Sequence, residues 1–259
     1  MSQSELLYNY DSALIATVLF VAIIIANEFG FIAGRFVQSR TNDEIKALTG
    51  SIQASILGLL ALLLGFTFSM SMQRYDNRTM ALIDESNSIG TAMLRAQLLP
   101  DEFKADADKV LRDYIALRVE VGQVDLTHAD VRAEYNRKIV AQQNLLWEIT
   151  LAATEADPRP VTTGVFLKSL NDVIDAQGKR NALLQLHVPE TILILLFFVF
   201  ISSGGIMGYS AGLSGKRMVA PIVLVSLLIT MIVFTIIDLD RPKRGLIQVD
   251  QSVMSDLLQ

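Results

Sequence analysis

The chain has 259 residues, 51% of them hydrophobic, with 22 Lys and Arg against 27 Asp and Glu and no Cys. A net charge of −5 leaves no basic footprint for nucleic acid and no basic amphipathic stripe for an anionic lipid surface. Without Cys there are no disulfides, thiol nucleophiles or thiolate metal sites, and His128 and His187 are too widely separated to suggest a zinc site, so neither metal nor cofactor is expected.

The apolar residues are gathered into four runs, each long enough to cross a bilayer core of about 30 Å as a helix of about 20 residues. They cover Ser12 to Ala33, Ile52 to Met72, Pro189 to Tyr209 and Met218 to Ile237. Glu5 and Asp11 precede the first run, no Lys or Arg does, and no small-residue cleavage site follows. It therefore reads as a retained span rather than a secretory leader.

Between the two pairs, Gln73 to His187 carries charge throughout, and its apolar residues recur at spacings of three and four, a helical period. The second span continues without Pro to Pro100, with a seam of Leu82, Glu85, Ile89, Ala92, Ala96 and Leu99. Asp101 is a plausible N-cap for the next helix, which carries Phe103, Ala107, Val110, Tyr114, Leu117 and Val121 before Gly122. A third helix follows Thr127 and carries Val131, Tyr135, Leu145, Trp147 and Ile149. Asp157-Pro158-Arg159-Pro160 breaks the chain, and a fourth helix runs from Val161 toward Pro189.

The expected fold is an all-α integral membrane protein with four transmembrane helices and a helical extramembrane bundle between the second and third. The divisions are residues 12–72 for the first helix pair, 73–187 for the bundle, 188–237 for the second pair and 238–259 for a C-terminal tail. Arg35, Arg40 and Lys46 in one short loop and Lys216 and Arg217 in the other place both loops in the cytoplasm by the positive-inside rule, with the bundle and both termini outside it. Arg74, Arg78, Arg241, Lys243 and Arg244 pull against that orientation.

Polar residues gather where the second span leaves the membrane. Glu85 stands in an apolar seam, where a carboxylate is paired, faces water or takes up a proton. Arg78 and Arg95 are its candidate structural partners, as is an arginine from another segment. The functional alternative makes Glu85 an ion-interacting group together with Asp84, Asn87, Thr67, Ser69, Ser71 and Glu28. After the last span, Asp238, Asp240 and Arg241 suggest a turn clamped by ion pairs; two acids alone are a weak cation site. Gly204 and Gly208 have the four-residue spacing of close helix packing, and Gly58 and Gly65 are read the same way. No phosphate-binding glycine loop, His-Glu-x-x-His or nucleophile elbow is present, so the chain does not read as an enzyme.

The blocks Leu64-Gly65-Phe66-Thr67-Phe68-Ser69, Glu85-Ser86-Asn87-Ser88-Ile89-Gly90-Thr91 with Arg95, Leu98-Leu99-Pro100, and Asp238-Leu239-Asp240-Arg241-Pro242 with Gly245 resemble a bacterial bestrophin-like membrane protein family of unknown function. The resemblance implies four spans, a central helical domain and, by the family's name, an ion channel. True bestrophins are oligomeric channels with an apolar neck, but none of their gating or selectivity residues carries over to a position here. The expectation is a homo-oligomeric channel of the bacterial inner membrane, with inorganic ions and lipid as partners. Its second span and extension line the pore, and acids at the mouth favour cations. The alternative is a non-conducting scaffold or sensor whose bundle binds a partner or small ligand.

Overall fold

The computed structural model describes residues 10–124 and 129–259; Glu5, Thr127 and His128, named above, lie outside the described residues. Among the described residues eight α-helices follow one another and there is no strand. They are α1 (Ser12–Val37), α2 (Asp43–Ala96), α3 (Asp101–Gln123), α4 (Ala129–Ala156), α5 (Thr163–Leu184), α6 (Glu190–Ser214), α7 (Val219–Asp240) and the short α8 (Ser252–Ser255). Four of them, α1, α2, α6 and α7, are long and apolar enough to span a membrane.

Local chemistry sets the ends. The Asp11 carboxylate accepts from Ala13 N at 2.7 Å and starts α1. The Asn42 side chain accepts from Ile45 N at 3.0 Å, so α2 begins at Asp43, well before the apolar run. At 54 residues α2 is about 80 Å long at helical rise, far more than a bilayer needs. Gly215 closes α6 at φ +71°, the left-handed conformation that glycine adopts without a side-chain clash.

The chain forms two compact units. The first holds the residues up to Gln73 together with His187–Arg241. Its core brings Ile15, Leu19 and Ile23 of α1 together with Leu60 and Leu64 of α2, Leu193, Leu196 and Phe200 of α6, and Val233 and Ile236 of α7. Glycine lets α1 and α6 touch backbone to backbone: a Cβ on Gly30, Gly34, Gly208 or Gly212 would overlap a carbonyl oxygen of the other helix. Asn27 Nδ2 donates to the Gly204 carbonyl at 3.1 Å across the same contact.

The second unit holds Arg74–Leu186 and Pro242–Gln259. Leu82, Ile89, Ala92, Ala96 and Leu99 are all buried in its core, as the seam predicts. On α3 the buried stripe is Ala107, Leu111, Tyr114, Ile115, Arg118 and Val121, turned slightly from the predicted one, so that Phe103, Val110 and Leu117 are only partly covered. On α4, Leu146 points inward and Leu145 is exposed. The residues after Arg241, expected as a tail, join this unit: Met254 is fully buried in its core, and Ser86 Oγ donates to the Val253 carbonyl at 2.8 Å.

Candidate functional site

Two features of α2 bear on function, one in each unit. Within the first unit, Leu60, Leu64, Thr67 and Ser71 are buried, at intervals of four, three and four residues, one face of a helix. Gly58, Leu62, Gly65 and Ser69 lie on the opposite face and are exposed. A Cβ added at Gly58 or Gly65 would meet no atom within 4 Å. Among the described residues these glycines therefore bring no helix of their own chain close.

Helical period also divides the expected pore hydroxyls. Thr67 Oγ1 is turned back onto its helix, donating to the Leu63 carbonyl at 2.8 Å, and Ser71 is fully buried. Ser69, two residues from each and about 200° away in helical angle, is the hydroxyl on the open face. Glu28 is half-exposed and pairs with Arg217 at 3.0 Å. Arg217 also stacks on the Phe31 ring, which makes the Glu28 pair a surface clamp.

In the second unit Glu85 has no exposed surface. Its Oε1 lies 2.6 Å from Arg118 Nε, and its Oε2 accepts from Arg118 Nη2 at 2.9 Å and from Arg180 Nη1 at 2.7 Å. Neither guanidinium comes from α2 itself. Arg78 instead donates from Nε and Nη2 to the carbonyls of Leu183 and Leu186 at the end of α5, and Arg95 Nη1 donates to Val165 O. Both same-helix partners proposed for Glu85 are thus corrected, because carbonyls lie within reach of each. Burial pushes the Glu85 carboxyl up, but the charges and hydrogen bonds of Arg118 and Arg180 outweigh it and hold the group below its ordinary range. The geometry also removes Glu85 from any water-facing position on its own subunit. Asp84 is partly exposed and pairs with Lys179 at 2.9 Å, while Asn87 is exposed.

Arg118 and Arg180 had not been singled out from the sequence, although each occupies the apolar register of its helix. Arg118 lies four residues after Tyr114 and three before Val121, and Arg180 continues Phe166, Leu170, Val173 and Gln177. An arginine at a core position of a helix is itself a sign of a buried acid elsewhere.

After the last span, the Asp240 carboxylate accepts from Val188 N at 2.9 and 3.1 Å and lies 3.7 Å from His187 Nδ1, fixing the chain ahead of α6. Arg241 N donates to the Asp238 carbonyl, and Asp238, Asp240 and Arg241 are all buried. Among the described residues no three His, Asp or Glu side chains converge on a point that would hold a metal ion.

A family profile described as Bestrophin-like domain matches residues 19–254. The chain belongs to the Bestrophin-like family. The solved structures similar to it include variants of a bacterial bestrophin homologue from Klebsiella pneumoniae. One has a TM-score of 0.63 at 16% identity, covering 93% of this chain and 96% of that one. Another has a TM-score of 0.62 at 17% identity, covering 93% and 95%. A variant described only as a membrane protein gives a TM-score of 0.61 at 15% identity, covering 94% and 96%. At these identities the likeness shows the shared fold, so this Bestrophin-like chain is an all-α membrane protein. No curated protein matches it.

Proposed function

We propose that this Bestrophin-like protein is a homo-oligomeric ion channel of the bacterial inner membrane, with α2 and its extension lining a passage between subunits. The observation that carries the proposal is the open face of the spanning part of α2. Gly58, Leu62, Gly65 and Ser69 are exposed there and a Cβ at either glycine would meet no atom within 4 Å, while Leu60, Leu64, Thr67 and Ser71 on the other face are buried. A face with two glycines and a serine gains little from contact with lipid tails; small residues there suit the close approach of a second helix or the wall of a passage. Four spans in one subunit leave little room for an aqueous path inside it, so a passage is easier to build at an axis between copies. The change from Leu62 to Ser69 along this face suits a pore with an apolar, dewetting segment and a polar end.

Preference for cations rests on a different acid from the one expected. Two arginines neutralise Glu85 and Lys179 pairs with Asp84, whereas Asp76 is exposed one helical turn beyond the span. A ring of Asp76 carboxylates would concentrate cations at low salt, where screening is weak. The test is ion flux through purified protein in liposomes over a range of voltage and salt. Flux that favours cations is expected, and stable oligomers that pass no ion would leave the scaffold or sensor in its place.

A further inference from the structure

Within the first unit the two short loops meet. Arg35, in the last turn of α1, donates from Nη1 to the Gly215 carbonyl at 3.2 Å and to Gln38 Oε1 at 3.3 Å. Gln38 itself lies so close that a Cβ on Gly215 would sit 2.5 Å from its Nε2. The 3-10 turn Gln38–Arg40 follows α1 directly, and Lys216 follows Gly215, so packing gathers bases that no single helix carries as a stripe. Between residues 28 and 46 and in the loop after α6 stand five bases, Arg35, Arg40, Lys46, Lys216 and Arg217, against three acids, Glu28, Asp43 and Glu44. Two of those acids are engaged locally, Glu28 with Arg217 at 3.0 Å and Asp43 with Lys46 at 3.1 Å. Among the described residues Arg35 bonds only neutral oxygens, and the exposed Arg40 and Lys216 bond no side chain or carbonyl.

This cluster adjoins an apolar face. Ile25, Phe29, Ile32 and Phe36 of α1 are 51%, 70%, 61% and 77% exposed, at spacings of four, three and four residues that keep them on one side of the helix. The stripe ends at Phe36, beside Arg35 and one turn before Arg40. With 26 residues α1 is about 39 Å long at helical rise, so bases at its end stand at headgroup depth while the stripe faces the acyl chains. We propose that this junction binds an anionic phospholipid. Arg35 and Lys216 hold the phosphate, Arg40 adds its charge, and an acyl chain lies along Phe36 and Ile32. The guanidinium fork matches a phosphate, and Arg35 is already held in place by Gly215 and Gln38, so little freedom is lost on binding. The apolar stripe selects a lipid over a free anion, and the excess of bases selects an anionic headgroup over a zwitterionic one. The inference needs the four spans but not the channel reading.

The experiment is native mass spectrometry of the full-length protein in detergent, titrated with phosphatidylglycerol or phosphatidylcholine of the same chains at fixed ionic strength. The wild type should retain phosphatidylglycerol in clear preference. Lys216→Gln and Arg40→Gln should each weaken its retention by roughly fivefold and leave phosphatidylcholine unchanged, while Arg137→Gln, which removes an exposed base from α4 in the second unit, should change neither. Equal retention of the two lipids, or a loss as large in Arg137→Gln as in Lys216→Gln, would overturn the proposal. Displacement of phosphatidylglycerol by an equal concentration of inorganic phosphate would overturn it in favour of a free anion, and the absence of any retained lipid would give the face to a second copy of the chain. The wild-type preference decides even where a variant fails to fold.

Discussion

At the scale of single residues, the Glu85 cluster sets one carboxylate against two guanidiniums away from water in the second unit. Glu85→Gln removes the carboxylate that bonds both Arg118 and Arg180 and leaves both cations buried, at a cost of about 3–5 kcal/mol. Thermal unfolding followed by circular dichroism should show this loss, and replacing Glu85, Arg118 and Arg180 together with Met should recover much of it. The pH dependence has a definite sign. The folded-state pKa of Glu85 lies below its unfolded value, so the stabilisation is complete above about pH 4.3 and fades as pH falls through the lower folded value. An acid titration should therefore lower the melting temperature of the wild type progressively as pH falls below about 4.3, and the Met triple variant should lose that part of the pH dependence. The anomaly of Glu85 was legible in the sequence, since an acid interrupts Leu82, Ile89, Ala92 and Ala96. Its partners were not. A single helix offers only its own neighbours by periodicity, whereas Arg118 and Arg180 arrive through the packing of α3 and α5.

At the scale of elements, glycine has opposite meanings on two spanning helices. On α6, a side chain at Gly208 would overlap the Asn27 carbonyl of α1, backbone that cannot step aside. Gly208→Leu should destabilise the first unit by about 1–3 kcal/mol or more, measured as a lowered melting temperature in detergent. On α2, Gly65 faces open space. Gly65→Leu should leave the melting temperature of the single chain unchanged but alter flux or subunit assembly, read by liposome flux and by mass in detergent. Gly204 and Gly208 are four residues apart and Gly58 and Gly65 seven, spacings that both keep a pair on one helix face, so the two pairs read alike in the sequence; only the neighbouring backbone separates them. Thr67, Ser69 and Ser71 carry the matching lesson. Alternation by two residues puts Ser69 across the helix from the other two, which helical period does dictate once the buried face of α2 is known.

At the scale of the whole molecule, hydropathy located all four spans, and helical period located the bundle, because both depend on local composition. The ends of α2 and the course of the C-terminal residues were less legible: an Asn cap and a few apolar contacts such as Met254 decide them. We propose from the basic short loops that the bundle lies outside the cytoplasm. In this Cys-free chain, Ser255→Cys should react with a membrane-impermeant thiol reagent in intact spheroplasts, and Ser39→Cys and Ser214→Cys should not; the reverse pattern would invert the assignment. The central claim is that the open face of α2 lines the ion path, and a cysteine block tests it most directly. Ser69→Cys and Thr67→Cys proteins in liposomes would be exposed to a charged, water-soluble thiol reagent while flux is recorded. Flux through the Ser69→Cys protein should fall severalfold and recover on reduction, with Thr67→Cys unaffected; flux that persists in Ser69→Cys after its modification has been verified, or block in Thr67→Cys alone, would contradict it.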